Sequence, residues 1–260
     1  MNNFIQSKIA AFDNDLETIL GEKYLDTIIY GSFSLDDFRI GKSDIDFCVV
    51  LEKDLTEDDI EKIIQLHEAY NSRNDKDISY FEGYYYPRSA LIDLDAEISG
   101  YKIAANRNMW RKMNKFLSNC FELIQFSTNG IRIRNKTFSV IMPSNSLIMN
   151  SMKKGLEMNR KWVGDWEVPS YLIVQYVARC IYYIRNGKIG SKKTACKYLA
   201  TQFIDDEYIR ESGDLRKPFD ESDLNGKYPN HLGSAKKALD EFEKVINMLE
   251  NGDLTIASTG

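Results

Sequence analysis

The chain has 260 residues, enough for one large domain or two ordinary ones that each bury a core, and two are expected. Apolar residues make up 43% and charged residues 28%, a balance that excludes a disordered chain. A formal net charge of -5 argues against non-specific attraction to nucleic acid, whose phosphates need a basic surface, and suits a cationic small molecule better.

Four cysteines, Cys48, Cys120, Cys180 and Cys196, form no Cys-x-x-Cys pair, and no histidine stands at zinc-ligand spacing. Neither a disulfide framework nor a structural zinc is expected, and a reducing cytoplasm is the default. The opening MNNFIQSKIAAFDNDL lacks the basic start and continuous apolar core of a signal peptide, and nowhere do eighteen apolar residues run together. Neither export by that route nor a membrane span is expected.

Phe4, Ile5, Ile9, Phe12, Leu16 and Ile19 recur at helical spacing and stop at Gly21, a helix with a glycine C-cap. Two short β-branched runs follow, LDTIIY ending at Tyr30 and Ile45 to Leu51, and both read as strands. Thr56 begins TEDD, an N-cap with acids in the first turn, before the apolar face of a second helix through Ile60, Ile63, Ile64, Leu66 and Tyr70. KDISYFEGYYYP, Lys76 to Pro87, is rich in β-formers and reads as a third strand. Strand, helix, strand predicts a mixed sheet with helices against it.

Further on, FELIQFSTNGIRI sets Asn129-Gly130 between two β-prone runs, which predicts a hairpin. From about Leu147 four segments show helical periodicity: SLIMNSMKKGLEMNRKWV, SYLIVQYVARCIYYIRNGK, SKKTACKYLATQF and HLGSAKKALDEFEKVINMLE. The last residues, NGDLTIASTG, read as a loosely held tail. The expected architecture is an α/β (α+β) domain with a mixed sheet over residues 1–150, then an all-α helical bundle over 151–260.

The loop between the first two strands carries the chemistry. Gly31-Ser32 ends one strand, eleven residues follow, and Asp44-Ile45-Asp46 opens the next. Residues two apart in a strand share a face about 6.6 Å apart, so Asp44 and Asp46 project together while Ile45 turns to the core. Two such charges repel by roughly 2–3 kcal/mol at an effective dielectric near 20. A divalent cation removes that cost. Mg²⁺ takes one or two protein carboxylates and completes its shell with water and phosphate oxygens, which makes a nucleotide the natural partner. Gly31 would let the backbone approach a triphosphate, and Ser32 would offer its hydroxyl and amide to phosphate oxygens.

The pattern Gly-Ser, eleven residues, Asp-Ile-Asp between apolar strands resembles the nucleotidyltransferase superfamily. YLIVQYVARCIYYIRNGKIGSKKTACKYLA, Tyr171 to Ala200, is similar to the helical domain of the aminoglycoside adenylyltransferases that inactivate streptomycin and spectinomycin, with Arg179, Gly187, Ile189, Lys192 and Ala195 on its pattern. That resemblance implies a metal held by Asp44 and Asp46, a triphosphate contacted by Gly31, Ser32, Arg179 and Lys192, and Glu82 as catalytic base. It implies a substrate contacted by Trp110 and Asp165, and ATP bound where the two domains meet. The expected activity is Mg²⁺-dependent transfer of AMP from ATP to a hydroxyl of an aminoglycoside, conferring resistance. The protein would act as a cytoplasmic monomer with no nucleic-acid or membrane partner.

Pro169 and Ser170 stand where the resemblance has a further acid, which leaves open a nucleotidyltransferase with another acceptor, a protein hydroxyl or another small molecule. A nucleotide-binding regulatory module with a degenerate site is the non-enzymatic alternative. Arg179 also reads as a structural ion-pair former in the bundle. Lys192 and Lys193 read as an exposed first helical turn, where cations oppose the helix dipole and an anion would relieve them. Tyr84, Tyr85 and Tyr86 read as strand packing, Asp36 and Asp37 as solvated loop charges, and His67 and His231 as carrying no catalytic role.

Overall fold

In a computed structural model, which describes residues 3–72, 78, 80–93, 99–104, 109–114, 120–164, 168–215, 227–228 and 230–257, the chain divides into two units, Met1–Pro143 and Ser144–Gly260. The first is built around α1 (Asn3–Leu20), β1 (Tyr24–Tyr30), α2 (Gly31–Ser34), β2 (Ile45–Leu51), α3 (Glu57–Asn71) and β3 (Phe81–Pro87). It continues through α4 (Arg88–Ile92), β4 (Ser99–Ala104), β5 (Met109–Asn114), α5 (Cys120–Thr128) and β6 (Ile131–Arg132). Among the described residues the six strands form one sheet in the order β5-β4-β3-β2-β1-β6. Only β2 and β3 run parallel; the other pairs are antiparallel, so the sheet is mixed as the sequence predicts. Parallel neighbours need a long crossover, and α3 supplies it.

The continuous apolar run FCVVL is explained by burial on both faces. Ile45, Phe47, Val49 and Leu51 pack with Ile9, Phe12 and Leu16 of α1 and Ile63 of α3. Cys48 and Val50 pack on the other face with Ile28, Tyr84, Tyr86, and with Leu123 and Phe126 of α5. Tyr84, Tyr85 and Tyr86 are all buried, in agreement with strand packing. Thr56 caps α3 by accepting from the Asp59 N–H at 3.3 Å, and Asp59 accepts from the Thr56 N–H in return, a full capping box.

His67, on α3, is 3% exposed; its Nε2 lies 2.8 Å from the Tyr85 hydroxyl, and its ring packs between Phe12 and Phe47. Burial pulls its pKa down to about 3 from 6.5. The folded ring stays neutral where the unfolded ring is protonated, so stability is fully present above pH 6.5 and declines as pH falls toward 3. This histidine contributes a slope of up to about 1.4 kcal/mol per pH unit in that window. His67→Gln, which keeps a partner for Tyr85 but does not titrate, is expected to flatten the loss of stability between pH 6.5 and 4.5 in urea unfolding. An unchanged acid slope would refute the assignment.

The predicted hairpin at Asn129-Gly130 is instead the end of α5. Phe121, Leu123, Ile124 and Phe126 are buried, and the Gly130 N–H returns to the Gln125 carbonyl at 2.7 Å, closing a helix terminus. The β-prone composition yields here to packing, because α5 covers the sheet face formed by Ile28, Cys48 and Val50. Only Ile131 and Arg132 after the turn join the sheet, beside β1.

The second unit contains α6 (Asn145–Trp162), α7 (Ser170–Asn186), α8 (Lys192–Ala200), α9 (Glu207–Ser212) and α10 (His231–Glu250), close to the four periodic segments plus one short helix. Residue 150, read as the end of the first domain, lies inside α6, whose N-cap Ser144 accepts from the Leu147 N–H. Gly155 lets α6 approach α7: a Cβ there would come within 1.7 Å of the Tyr176 hydroxyl. The C-terminal segment is tied down rather than loose, since the Ala257 N–H donates to the Ile184 carbonyl at 3.0 Å. No described helix is long and apolar enough to cross a membrane. Cys48, Cys180 and Cys196 are buried and form no disulfide among the described residues.

Candidate active site

The site is assembled at one end of the sheet. β1 ends at Tyr30, Gly31 follows with φ +68°, and Ser32 sits in the short helical turn α2. The loop back to β2 is braced internally. Lys42 and Ser43 donate their N–H groups to the Arg39 carbonyl at 3.0 and 2.9 Å, and the buried Ser43 hydroxyl accepts from the Arg39 N–H at 3.0 Å. Asp37 pairs with Arg39 at 3.7 Å, so the loop charge at Asp37 is partnered within the loop.

Ile45 is fully buried in the core against α1 and α3, while the flanking Asp44 and Asp46 are half-buried, as the alternation requires. The strand register then brings in the two neighbours of Asp46. Tyr30 pairs with Asp46 across the antiparallel β1 and β2, and Glu82 pairs with Asp46 across the parallel β2 and β3. Asp46 and Glu82 therefore point to the same face, one strand spacing of about 4.8 Å apart in backbone position. Among the described residues no three His, Cys, Asp or Glu side chains are clustered as a ready-made metal cage. Two half-buried carboxylates fit Mg²⁺, which takes one or two protein carboxylates, completes its shell with water and phosphate oxygens and seldom uses an all-protein cage.

Gly31 also has a local role in the fold. Its N–H donates to the Gln125 Oε1 at 3.1 Å, and Gln125, 2% exposed, is held by donating to the Phe121 carbonyl at 3.3 Å. What the missing side chain admits is Asp46: a Cβ on Gly31 would lie 2.0 Å from the Asp46 Oδ2. The positive φ adds a second reason for glycine. Gly31→Ala is expected to displace the Asp46 carboxylate, cutting any activity that depends on that carboxylate at least tenfold and lowering unfolding free energy by about 1–3 kcal/mol. Denaturant unfolding and a turnover assay on the same preparation check both; parent-like values in both would refute the constraint.

Aromatic hydroxyls wall this face. Burial raises the pKa of Tyr30 and Tyr84 well above the tyrosine range, with the charge of Glu122 on α5 adding to it, and the Tyr84 hydroxyl donates to Glu122. Both stay neutral at any working pH. Beside them, Lys102 on β4 lies 3.3 Å from the Glu82 Oε1. Gln125, Glu122 and Lys102 were not legible from the sequence; only α5 packing and strand register bring them here.

Trp110 lies on β5, where its backbone pairs with Ile103, two strands from Glu82; its side chain lies outside the described ones. Asp165 also lies outside the described residues. In the second unit Arg179 is half-buried in the middle of α7, and Lys192 is half-buried as the first residue of α8, which packs on α7. Ser191 caps α8 by accepting from the Thr194 N–H at 3.2 Å. Lys193 pairs with Asp214 at 3.4 Å. Ser170 is fully buried, its hydroxyl 2.7 Å from both the Tyr208 hydroxyl and the His231 Nδ1, a packed polar contact rather than a solvent-facing site.

Residues 14–89, which include every residue from Gly31 to Glu82, match the family model of the nucleotidyltransferase domain. The match lies within the first unit. Over 90% of its length the chain superimposes on 99% of spectinomycin adenyltransferase AAD(9) from Enterococcus faecialis, a structure solved with ATP and spectinomycin, with a TM-score of 0.69 and 15% identity. At that identity the likeness establishes the fold. No curated protein sequence matches the chain.

Proposed function

We propose that this protein transfers AMP from ATP to a hydroxyl of an aminoglycoside of the spectinomycin or streptomycin type, in the cytoplasm, with Mg²⁺ as cofactor. The observation that carries the reading is the in-register pairing of Asp46 with Glu82, with Gly31 making room for the Asp46 carboxylate. Asp44 and Asp46 would hold the metal, which when bound neutralises charge on the triphosphate and polarises its phosphoryl oxygens. Ser32 offers a hydroxyl at the turn after β1, and Arg179 and Lys192 supply positive charge for the phosphates. Glu82 accepts the proton of the acceptor hydroxyl. The hydroxyl oxygen then bonds to the α-phosphorus of ATP as the bond to the bridging oxygen breaks, releasing pyrophosphate. Trp110 and Asp165 carry substrate contacts in this reading, an aromatic face and a carboxylate for a cationic sugar.

The test is a purified-protein assay with ATP, Mg²⁺ and separate aminoglycosides, reading pyrophosphate release and the mass of the product. An adenylylated spectinomycin or streptomycin, heavier than the drug by one AMP residue, is the expected result. One observation favours a different acceptor: Ser170 is buried against Tyr208 and His231 and supplies no charge where the resemblance has an acid. Pyrophosphate release with another acceptor and none with these drugs would select that reading.

A further inference from the structure

Glu82 stands among negative charge. Asp46 is its partner on β2, Asp44 lies two residues before Asp46, and Glu122 approaches Tyr84 from α5. Lys102 is the counter-charge. It lies on β4 directly across from Tyr84, so it is diagonal to Glu82, which sits two residues back on the same face of β3. A diagonal neighbour is too far for a short side chain but within reach of a lysine. Its Nζ lies 3.3 Å from the Glu82 Oε1 and 4.9 Å from the centre of the Tyr84 ring, and both charged side chains are about a quarter exposed, at 28% and 26%. A cation held over an aromatic face and against a carboxylate is fixed at two points. The buried Tyr84, 5% exposed and bonded to Glu122, is a rigid base for it.

We infer that Lys102 is a positioning residue for the proton acceptor: it holds Glu82 by Oε1, pinned over Tyr84, and leaves Oε2 to take the proton of the acceptor hydroxyl. The inference rests on the adenylyl-transfer reading and adds to it a residue outside the metal, phosphate and substrate contacts. A base one ångström out of place costs up to about 100-fold in rate without weakening nucleotide binding. Lys102 acts through Glu82, so its loss falls on turnover. Arginine, as long and as cationic, can make the same pair and stack on the same ring.

The experiment measures steady-state adenylyl transfer by the full chain with ATP, Mg²⁺ and an aminoglycoside for the parent, Lys102→Met, Lys102→Arg and Glu82→Gln. Expected are a kcat lowered about 10- to 100-fold in Lys102→Met with KM for ATP within twofold of the parent, and recovery of most of the turnover in Lys102→Arg. A merely structural lysine would lower melting temperature and active fraction without separating kcat from KM. Should Lys102→Met melt below the assay temperature, Lys102→Gln carries the same expectation. Parent-like kcat in the Met and Gln variants beside an inactive Glu82→Gln would overturn the inference alone. No transfer by the parent to any acceptor would overturn it together with the proposed function.

Discussion

Asp46→Asn is expected to lower nucleotidyl transfer by about 1,000-fold or more, while the protein stays folded. The size follows from charge: a metal-held triphosphate gains several kcal/mol of transition-state stabilisation, and about 1.4 kcal/mol is a factor of ten. Asparagine keeps the shape that fits against Gly31 but lacks the charge that Mg²⁺ requires. Stability should hold or rise slightly, because the substitution removes one of the like charges facing Asp44 and Glu82. Turnover, Mg²⁺ titration and thermal unfolding on one preparation decide it. A variant within tenfold of the parent would show that Asp46 does not carry the metal.

Glu82→Gln has the second-largest expected effect, a loss of about 100- to 10,000-fold in kcat, the usual range for a general base. Nucleotide binding should persist, since Glu82 lies beside Asp46 rather than on the Gly31-Ser32 turn. The pair of variants therefore separates two roles: Asp46→Asn should weaken metal-dependent ATP binding, and Glu82→Gln should not. Equal losses of ATP affinity in both, measured by calorimetry with Mg²⁺, would mean that Glu82 joins the metal site instead of serving as base.

Much of this was legible from local pattern. Thr56 with three acids behind it marks a helix start wherever it occurs, and the alternation through Asp44, Ile45 and Asp46 assigns each side chain to a face without further information. Asn129-Gly130 misled because two-residue turn chemistry is shared between hairpins and helix ends, and the choice depended on whether Phe121 to Phe126 had a sheet face to cover. The terminal segment misled for a similar reason: its polar composition says nothing of the Ile184 carbonyl that receives the Ala257 N–H.

By itself the sequence determined the helices and strands, the division into a sheet-bearing and a helical part, and the carboxylate pair beside a glycine turn, because these depend on periodicity and spacing within about thirty residues. Tertiary structure decided the partners. Strand order and register alone place Glu82 against Asp46 and Lys102 against Glu82. The glycine read as a gap for phosphate also makes room for the Asp46 carboxylate, with its N–H held by Gln125 from ninety-four residues away. Such contacts have no sequence signature, since pairing across a sheet depends on which strands become neighbours and not on the residues between them.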